Sequence, residues 1–236
     1  MKRRIRKAAG SVILCCLVLI AVISLYNIIK IVAGYAEQRN VYENTRKTAR
    51  TEEGIDWEEL ASINSDVIGW IRLPDTNIDY PVVQGDDNSR YLNVLFDGTQ
   101  GSCGTLFADF RQENAFHETN TIIYGHNMKD GSMFGGLKKF KDREYFEEHG
   151  SFELLTPGGD YNLTAVAVLV IEPTDVLYNP CIEDETAAEA WVSRVVSEAN
   201  FCTRKELAAD GHYVMLSTCS TPDRNLRDVV IARVEV

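Results

Sequence analysis

Residues 11–29, SVILCCLVLIAVISLYNII, are apolar throughout apart from Ser11, Ser24 and Asn27. Nothing else in the chain limits its folding as sharply. Nineteen helical residues rising about 1.5 Å each match a bilayer core of about 30 Å. The basic cluster MKRRIRK precedes the run, and an excess of Lys and Arg holds that end in the cytoplasm. The expected topology is a single pass. A cytoplasmic basic tail covers residues 1–10, a transmembrane anchor covers 11–32, and the rest lies outside the cell. A cleaved signal peptide is the rival reading, because Val32-Ala33-Gly34 resembles a weak processing site. The run outlasts the usual signal core of about 7–15 residues, so a retained anchor is favoured. Cys15 and Cys16 read as small apolar fillers of that helix.

Residues 35–53 are rich in Glu, Gln, Arg, Asn and Thr. That helix-friendly composition fits a linker or stalk over 33–54, ahead of a folded body over 55–236. Six of the 24 basic residues and none of the 35 acidic ones fall in the first 30 positions, so residues 31–236 carry a formal charge of −17. An acidic body of this size argues against nucleic-acid binding, which needs Lys and Arg to neutralise phosphates. Cys103, Cys181, Cys202 and Cys219 are scattered without a C-x-x-C pair. Zinc-ligand spacing is therefore absent, and a disulfide-dense scaffold is not indicated.

The body reads as mostly β. VIGWIRL, TNIDYPVVQ, GTLFADF, NTIIYGH, SFELLT, YNLTAVAVLVIE, YVMLST and DVVIARVEV are short β-branched or aromatic runs separated by Gly, Pro, Asp and Asn. About eight strands in one domain make a closed barrel or a sandwich. Helices are added to them. Residues 55–63 have helical spacing with an Asp at the start, and MFGGLKKFKDREYFEEH contains an amphipathic stretch. Residues 184–199 place Ala187, Ala188, Trp191, Val192, Val195, Val196 and Ala199 on one face, which reads as a core-facing stripe.

Only four histidines compete for a chemical role. His117 lies in a polar stretch, His149 reads as a helix C-terminal residue favoured by the macrodipole, and His212 sits in a turn. His126 differs, ending the strand TIIYG and opening the loop HNMKDGSMFGG, where a titratable group suits the rim of a site. Spacing alone leaves a structural role open for it. Cys219 follows YVMLST and precedes a polar turn, so substrate can reach its thiol, whereas Cys103, Cys181 and Cys202 read as packing residues. Arg227 begins the last strand, eight residues after Cys219. If the chain folds back between them, antiparallel pairing sets the two side by side. Spacing equally allows an ordinary surface charge there.

These segments resemble sortases, and in detail class B sortases. TIIYGHNMKDGSMFGGLKKF is similar to that class's histidine motif, MLSTCS to the T/S-x-T-C nucleophile motif, and RDVVIARV to the strand carrying the family arginine. GWIRLPDTNIDYPVVQGDDNSRYLN resembles the early strands, and the helix-bearing insertion before YVMLST fits class B rather than class A. The turn STPDRNL looks shorter than in some members, which puts Arg224 beside Arg227 as a candidate; Arg227 is chosen because the strand starts there.

The resemblance implies an eight-stranded β-barrel as the sortase catalytic domain over 55–236, behind the transmembrane helix. It implies Cys219 as nucleophile, His126 as proton donor and acceptor, and Arg227 as oxyanion partner, with Ser217 and Thr218 as supporting hydroxyls. The partners it implies are surface proteins bearing a C-terminal NPQTN-like sorting signal, bound in a groove beside the helix-bearing insertion, and a cell-wall precursor amine. No cofactor and no metal are needed. Two alternatives are a pilus-polymerising sortase and a non-catalytic, surface-anchored binding module. An L,D-transpeptidase is disfavoured because Thr218 precedes Cys219 and Ser220 follows it, where that class has a Gly-Cys-Arg site. A papain-like peptidase is disfavoured because its cysteine precedes its histidine.

Overall fold

A computed structural model describes residues 2–52, 54–203 and 206–235, with side chains described from Leu14 onward. Two compact units emerge, Met1–Val41 and Tyr42–Val236. The first is helical, carried by helix α1 (Lys2–Ala49). The segment Leu14–Ala49 is long and apolar enough to cross a membrane, with a mean hydropathy of 2.4 and none of its apolar window buried by protein. Leu14, Leu19, Val22, Tyr26 and Ile29 are exposed on it. Such a surface is compatible with a membrane anchor. The side chains of the basic tail lie outside the described residues.

The last turns of α1 belong to the second unit. Tyr42, Thr45 and Ala49 are buried there, spaced so that one helix face meets the body. The Tyr42 hydroxyl donates to the Gly104 carbonyl, and its ring packs edge-on to Tyr80 at 5.2 Å. The body thus begins at Tyr42, upstream of the boundary expected at 55. The polar composition around these three residues masked the stripe. Gly104 has φ +57°, and a Cβ there would lie 2.3 Å from the Tyr91 carbonyl oxygen, so only glycine fits beside this helix end.

After α1 come a small hairpin of β1 (Arg50–Thr51) and β2 (Gly54–Ile55), then α2 (Trp57–Ile63). Asp56 caps α2 by accepting from Glu59 N at 3.0 Å. The body is then built from β3 (Val67–Arg72), β4 (Asp79–Val83), β5 (Leu106–Ala108), β6 (Asn120–Tyr124), β7 (Ser151–Thr156), β8 (Gly159–Ile171), β9 (Phe201–Cys202), β10 (Tyr213–Cys219) and β11 (Arg227–Val234). The sheet order is β11-β10-β6-β5-β4-β3-β7-β8-β9, and β11 also pairs with β8. That pairing closes eight strands into a barrel and leaves β9 as an outer addition. The eight expected runs each overlap one barrel strand. Closure requires β8 to reach β11 as well as β7, and a bulge between Ile231 and Ala232 re-registers that pair.

Helix α3 (Arg143–Glu148) follows a 3-10 turn (Leu137–Lys141), and α4 (Glu185–Glu198) lies between β8 and β9. Ala188, Trp191 and Val195 of α4 are buried, the latter two in one cluster with Ile122, Val166 and Tyr213, and Val192, Val196 and Ala199 pack alongside. The stripe is therefore core-facing. Full burial of one large apolar side chain contributes about 1.5–3 kcal/mol, and the Trp191 indole N–H keeps a partner in the Leu177 carbonyl at 3.2 Å.

Candidate active site

Strands β6 and β10 run parallel, with Tyr124 opposite Ser217. Both therefore finish at the same end of the barrel. Gly125 N donates to the Ser217 carbonyl at 3.1 Å, extending the pairing one step before His126 turns away. A Cβ on Gly125 would come within 2.4 Å of Leu106 Cδ2 and 2.6 Å of the Phe134 ring, so the strand end is packed as tightly as a glycine allows. Strand β11 runs antiparallel to β10 and starts where β10 ends, with Cys219 directly opposite Arg227. Directly opposite residues project to the same face with Cα atoms about 4.5–5.5 Å apart. Cys219, His126 and Arg227 all line one cavity of about 290 Å³. Arg224 is exposed in the turn before β11.

The imidazole of His126 has a defined orientation. Its Nε2 lies 2.8 Å from the Leu92 carbonyl oxygen. A carbonyl only accepts, so Nε2 carries a proton, and in the neutral ring Nδ1 is left as the basic nitrogen. Leu92 ends a 3-10 turn (Arg90–Leu92) held by the Asp87 carboxylate, which accepts from Ser89 N at 2.6 Å and Arg90 N at 2.8 Å. The Ser89 hydroxyl, together with those two backbone donations, keeps the Asp87 carboxyl below the usual carboxylate range.

Asn127 ties the two strands together. Its Nδ2 donates to the Cys219 carbonyl at 2.7 Å and to the Thr221 hydroxyl at 3.0 Å. On the other strand, Arg227 Nη1 donates to the carbonyls of Arg224 at 2.9 Å and Leu226 at 3.0 Å. One edge of the guanidinium is thereby fixed. Behind it, Asp228 is buried and pairs with Lys141 Nζ at 2.6 Å, and the same ammonium reaches the Ser220 hydroxyl at 3.1 Å.

Ser217 and Thr218 are both buried and both line the cavity. The Ser217 hydroxyl is 2.7 Å from the Tyr178 hydroxyl, whereas Thr218 Oγ1 has no hydrogen-bond partner among the described residues. Tyr178 is stacked on Tyr124 with ring centroids 6.2 Å apart. Its hydroxyl is pushed up to about 12 by burial. Asn127, Asn88, Tyr124 and Tyr178 were not singled out by sequence reasoning. Only the adjacency of Asn127 to His126 could have drawn notice.

The remaining candidates lie elsewhere. His149 caps the C-terminus of α3 and stacks on Tyr145 at 4.0 Å, while His117 and His212 are exposed. Cys103 is buried, which pushes its thiol up to about 12 with help from the Asp130 carboxylate. Cys202 is partly buried against the α4 cluster. Cys181, expected as a packing residue, is exposed instead, because the segment that ends α4's approach runs over the surface beside Arg111.

Comparison with known proteins bears on the whole body. The Sortase domain family matches residues 71–235. Sortase B of Listeria monocytogenes is 35% identical over 167 residues, covering 69% of this chain and 66% of that protein. This alignment spans just under two thirds of the Listeria protein. Sortase B of Staphylococcus aureus is 27% identical over 227 residues, covering 92% and 93% of the two chains. Among solved structures, sortase B from B. anthracis in complex with AAEK1 superposes with a TM-score of 0.76 at 31% identity, covering 86% of this chain and 98% of that one.

Proposed function

The chain belongs to the sortase family, within class B, and from that premise we propose a membrane-anchored cysteine transpeptidase acting on surface proteins that carry a C-terminal sorting signal. The single observation that carries this reading is the convergence of Cys219, His126 and Arg227 on one cavity from the ends of three neighbouring strands.

In the proposed reaction the Cys219 thiolate attacks the threonine carbonyl carbon of an NPQTN-like signal. The carbon becomes tetrahedral and its oxygen negative, facing the Arg227 guanidinium, a permanently charged planar donor suited to that task. Collapse of the intermediate breaks the amide bond, and His126 gives its proton to the departing amine. A thioester remains on Cys219. A cell-wall precursor amine then attacks the thioester, loses its proton to His126, and leaves with the acyl group as a new amide while Cys219 departs as thiolate. The same site accepts acyl donor and amine in turn.

An anchor over residues 11–32, with the basic tail in the cytoplasm and the catalytic domain outside, confines the enzyme and both substrates to one surface. Encounter then occurs in two dimensions rather than three. Mass spectrometry of the protein incubated with sorting-signal peptides tests the reading. A covalent adduct equal to the acyl fragment ending in threonine is expected on wild type and absent from Cys219→Ala. Substantial peptide turnover by purified Cys219→Ala would falsify it.

A further inference from the structure

The wall of the cavity hides a buried carboxylate that no step of this chemistry employs. Asp109 follows β5, and its side chain is 0% exposed. On Oδ1 it accepts from Arg111 N at 3.0 Å and Arg111 Nε at 2.8 Å. On Oδ2 it accepts from Arg111 Nη2 at 2.8 Å, the Tyr124 hydroxyl at 2.9 Å and Asn88 Nδ2 at 3.0 Å. Its backbone is pinned as well, since its N–H donates to the Ile122 carbonyl at 3.0 Å and its carbonyl accepts from Gln84 Nε2 at 3.0 Å. A carboxylate offers about four lone-pair sites, so Asp109 is saturated and has nothing left for a ligand. Its effect is on the groups that donate to it.

Two of those groups, Asn88 and Tyr124, line the cavity together with Cys219 and His126. The Asn88 amide is oriented from both sides: Oδ1 accepts from Phe110 N at 3.1 Å while Nδ2 faces Asp109. One N–H and one lone pair of that amide are consumed, and one of each is left for a ligand. Burial, then the neighbouring Asp109 carboxylate, pushes the Tyr124 hydroxyl far up, so it remains a protonated donor. The Tyr124 ring stacks on Tyr178, and Arg111 Nη2 reaches the Tyr178 carbonyl at 3.1 Å. One carboxylate therefore holds the amide, the stacked ring and, through Arg111, the second ring.

We propose that Asp109 is a positioning residue that presents the Asn88 amide and the Tyr124–Tyr178 wall to the extended acyl-donor peptide, and so sets which peptide is accepted. The ligand class is a peptide segment with an amide-bearing side chain or main-chain amide next to the scissile residue. A side-chain amide has one donor and one acceptor to match those that Asn88 leaves open. This inference rests on the transpeptidase reading above.

Steady-state kinetics on a sorting-signal peptide test it, comparing wild type, Asp109→Asn, Asn88→Ala and the double variant, with iodoacetamide alkylation of Cys219 as a parallel readout. Asp109→Asn keeps the shape and turns an acceptor-only group into one that presents N–H to three donors. Each single variant is expected to lose about tenfold or more in kcat/KM, chiefly through KM. The combined loss should fall well short of the product of the single losses, because Asp109 acts partly through Asn88. Cys219 alkylation should stay within about twofold, which separates misplacement of peptide from general loosening of the site. Unchanged kcat/KM in Asp109→Asn, fully multiplicative losses, or a parallel loss of alkylation would each overturn the inference. Should Asp109→Asn fail to fold, Tyr124→Phe removes a single donor, and a raised KM supports the inference while an unchanged KM refutes it. If wild type turns over no sorting peptide, the transpeptidase reading falls and this inference falls with it. If wild type is active and Asp109→Asn is equally so, only the inference falls.

Discussion

Replacing Asn127 with alanine isolates the link between the His126 loop and the strand that ends in Cys219. Both N–H donors of the side chain are engaged, one on the Cys219 carbonyl at 2.7 Å and one on the Thr221 hydroxyl at 3.0 Å. A neutral hydrogen bond contributes about 0.5–1.5 kcal/mol net, so the pair is worth about 1–3 kcal/mol. Asn127 is only half-buried, and water can take over part of the loss, which favours the lower half of that range. For a body of this size each kcal/mol moves Tm by about 2–4 °C, so a fall of about 2–8 °C is expected by differential scanning fluorimetry. The same bonds hold the Cys219 carbonyl against the residue that follows His126. Losing about 1.4 kcal/mol of alignment lowers kcat about tenfold, and KM should change by about twofold at most because neither bond touches the peptide. The assay is peptide cleavage at saturating and sub-saturating substrate, read beside the melting curve. Full wild-type kcat in a variant whose Tm has dropped by the predicted amount would show that the clamp supports the fold and not the chemistry.

Two further outcomes follow from packing and charge. Gly125→Ala drives a methyl into Leu106 and Phe134, and overpacking of this kind costs about 1–3 kcal/mol. Chemical denaturation should report that loss, and an unchanged midpoint would contradict the tight contact. Burial alone would raise the Asp109 carboxyl, but the Arg111, Tyr124 and Asn88 donors outweigh it and hold it below its ordinary value. Its folded-state pKa is depressed, so its stabilisation is complete above about pH 4 and is lost as pH falls below that. Wild type should lose Tm on acidification in that window by more than Asp109→Asn does, and identical acid profiles would refute the sign.

The barrel was legible because half-buried strands advertise themselves by alternating or β-branched runs between turn residues. TIIYG and YVMLST needed no tertiary knowledge to be seen as strands. Choosing a closed barrel over a sandwich depended on β8 pairing with β11, a contact between distant segments that no local pattern encodes. The pairing of Cys219 with Arg227 was only conditionally readable, since eight residues and a polar turn allow an antiparallel return but equally allow a surface charge. The parallel union of β6 with β10, which brings His126 to the same end, was not readable from spacing, and the family resemblance supplied the expectation. Asp109 and Arg111, in the stretch ADFRQEN, look like an exposed polar loop. Only the fold reveals that the carboxylate is buried and that Asn88, twenty-one positions earlier, donates to it. Tyr42, Thr45 and Ala49 were hidden for the opposite reason: three packed residues were diluted by a charged, helix-forming neighbourhood.

Barrel closure also governs how this domain behaves in crowded surroundings. A flat sheet would carry a long row of unspent backbone donors and acceptors ready to stitch onto another molecule. Here, among the described residues of the main sheet, the outermost strand is β9, only two residues long. That short edge offers an extended neighbouring chain little template for strand addition, and self-association into fibrils is starved of a seam.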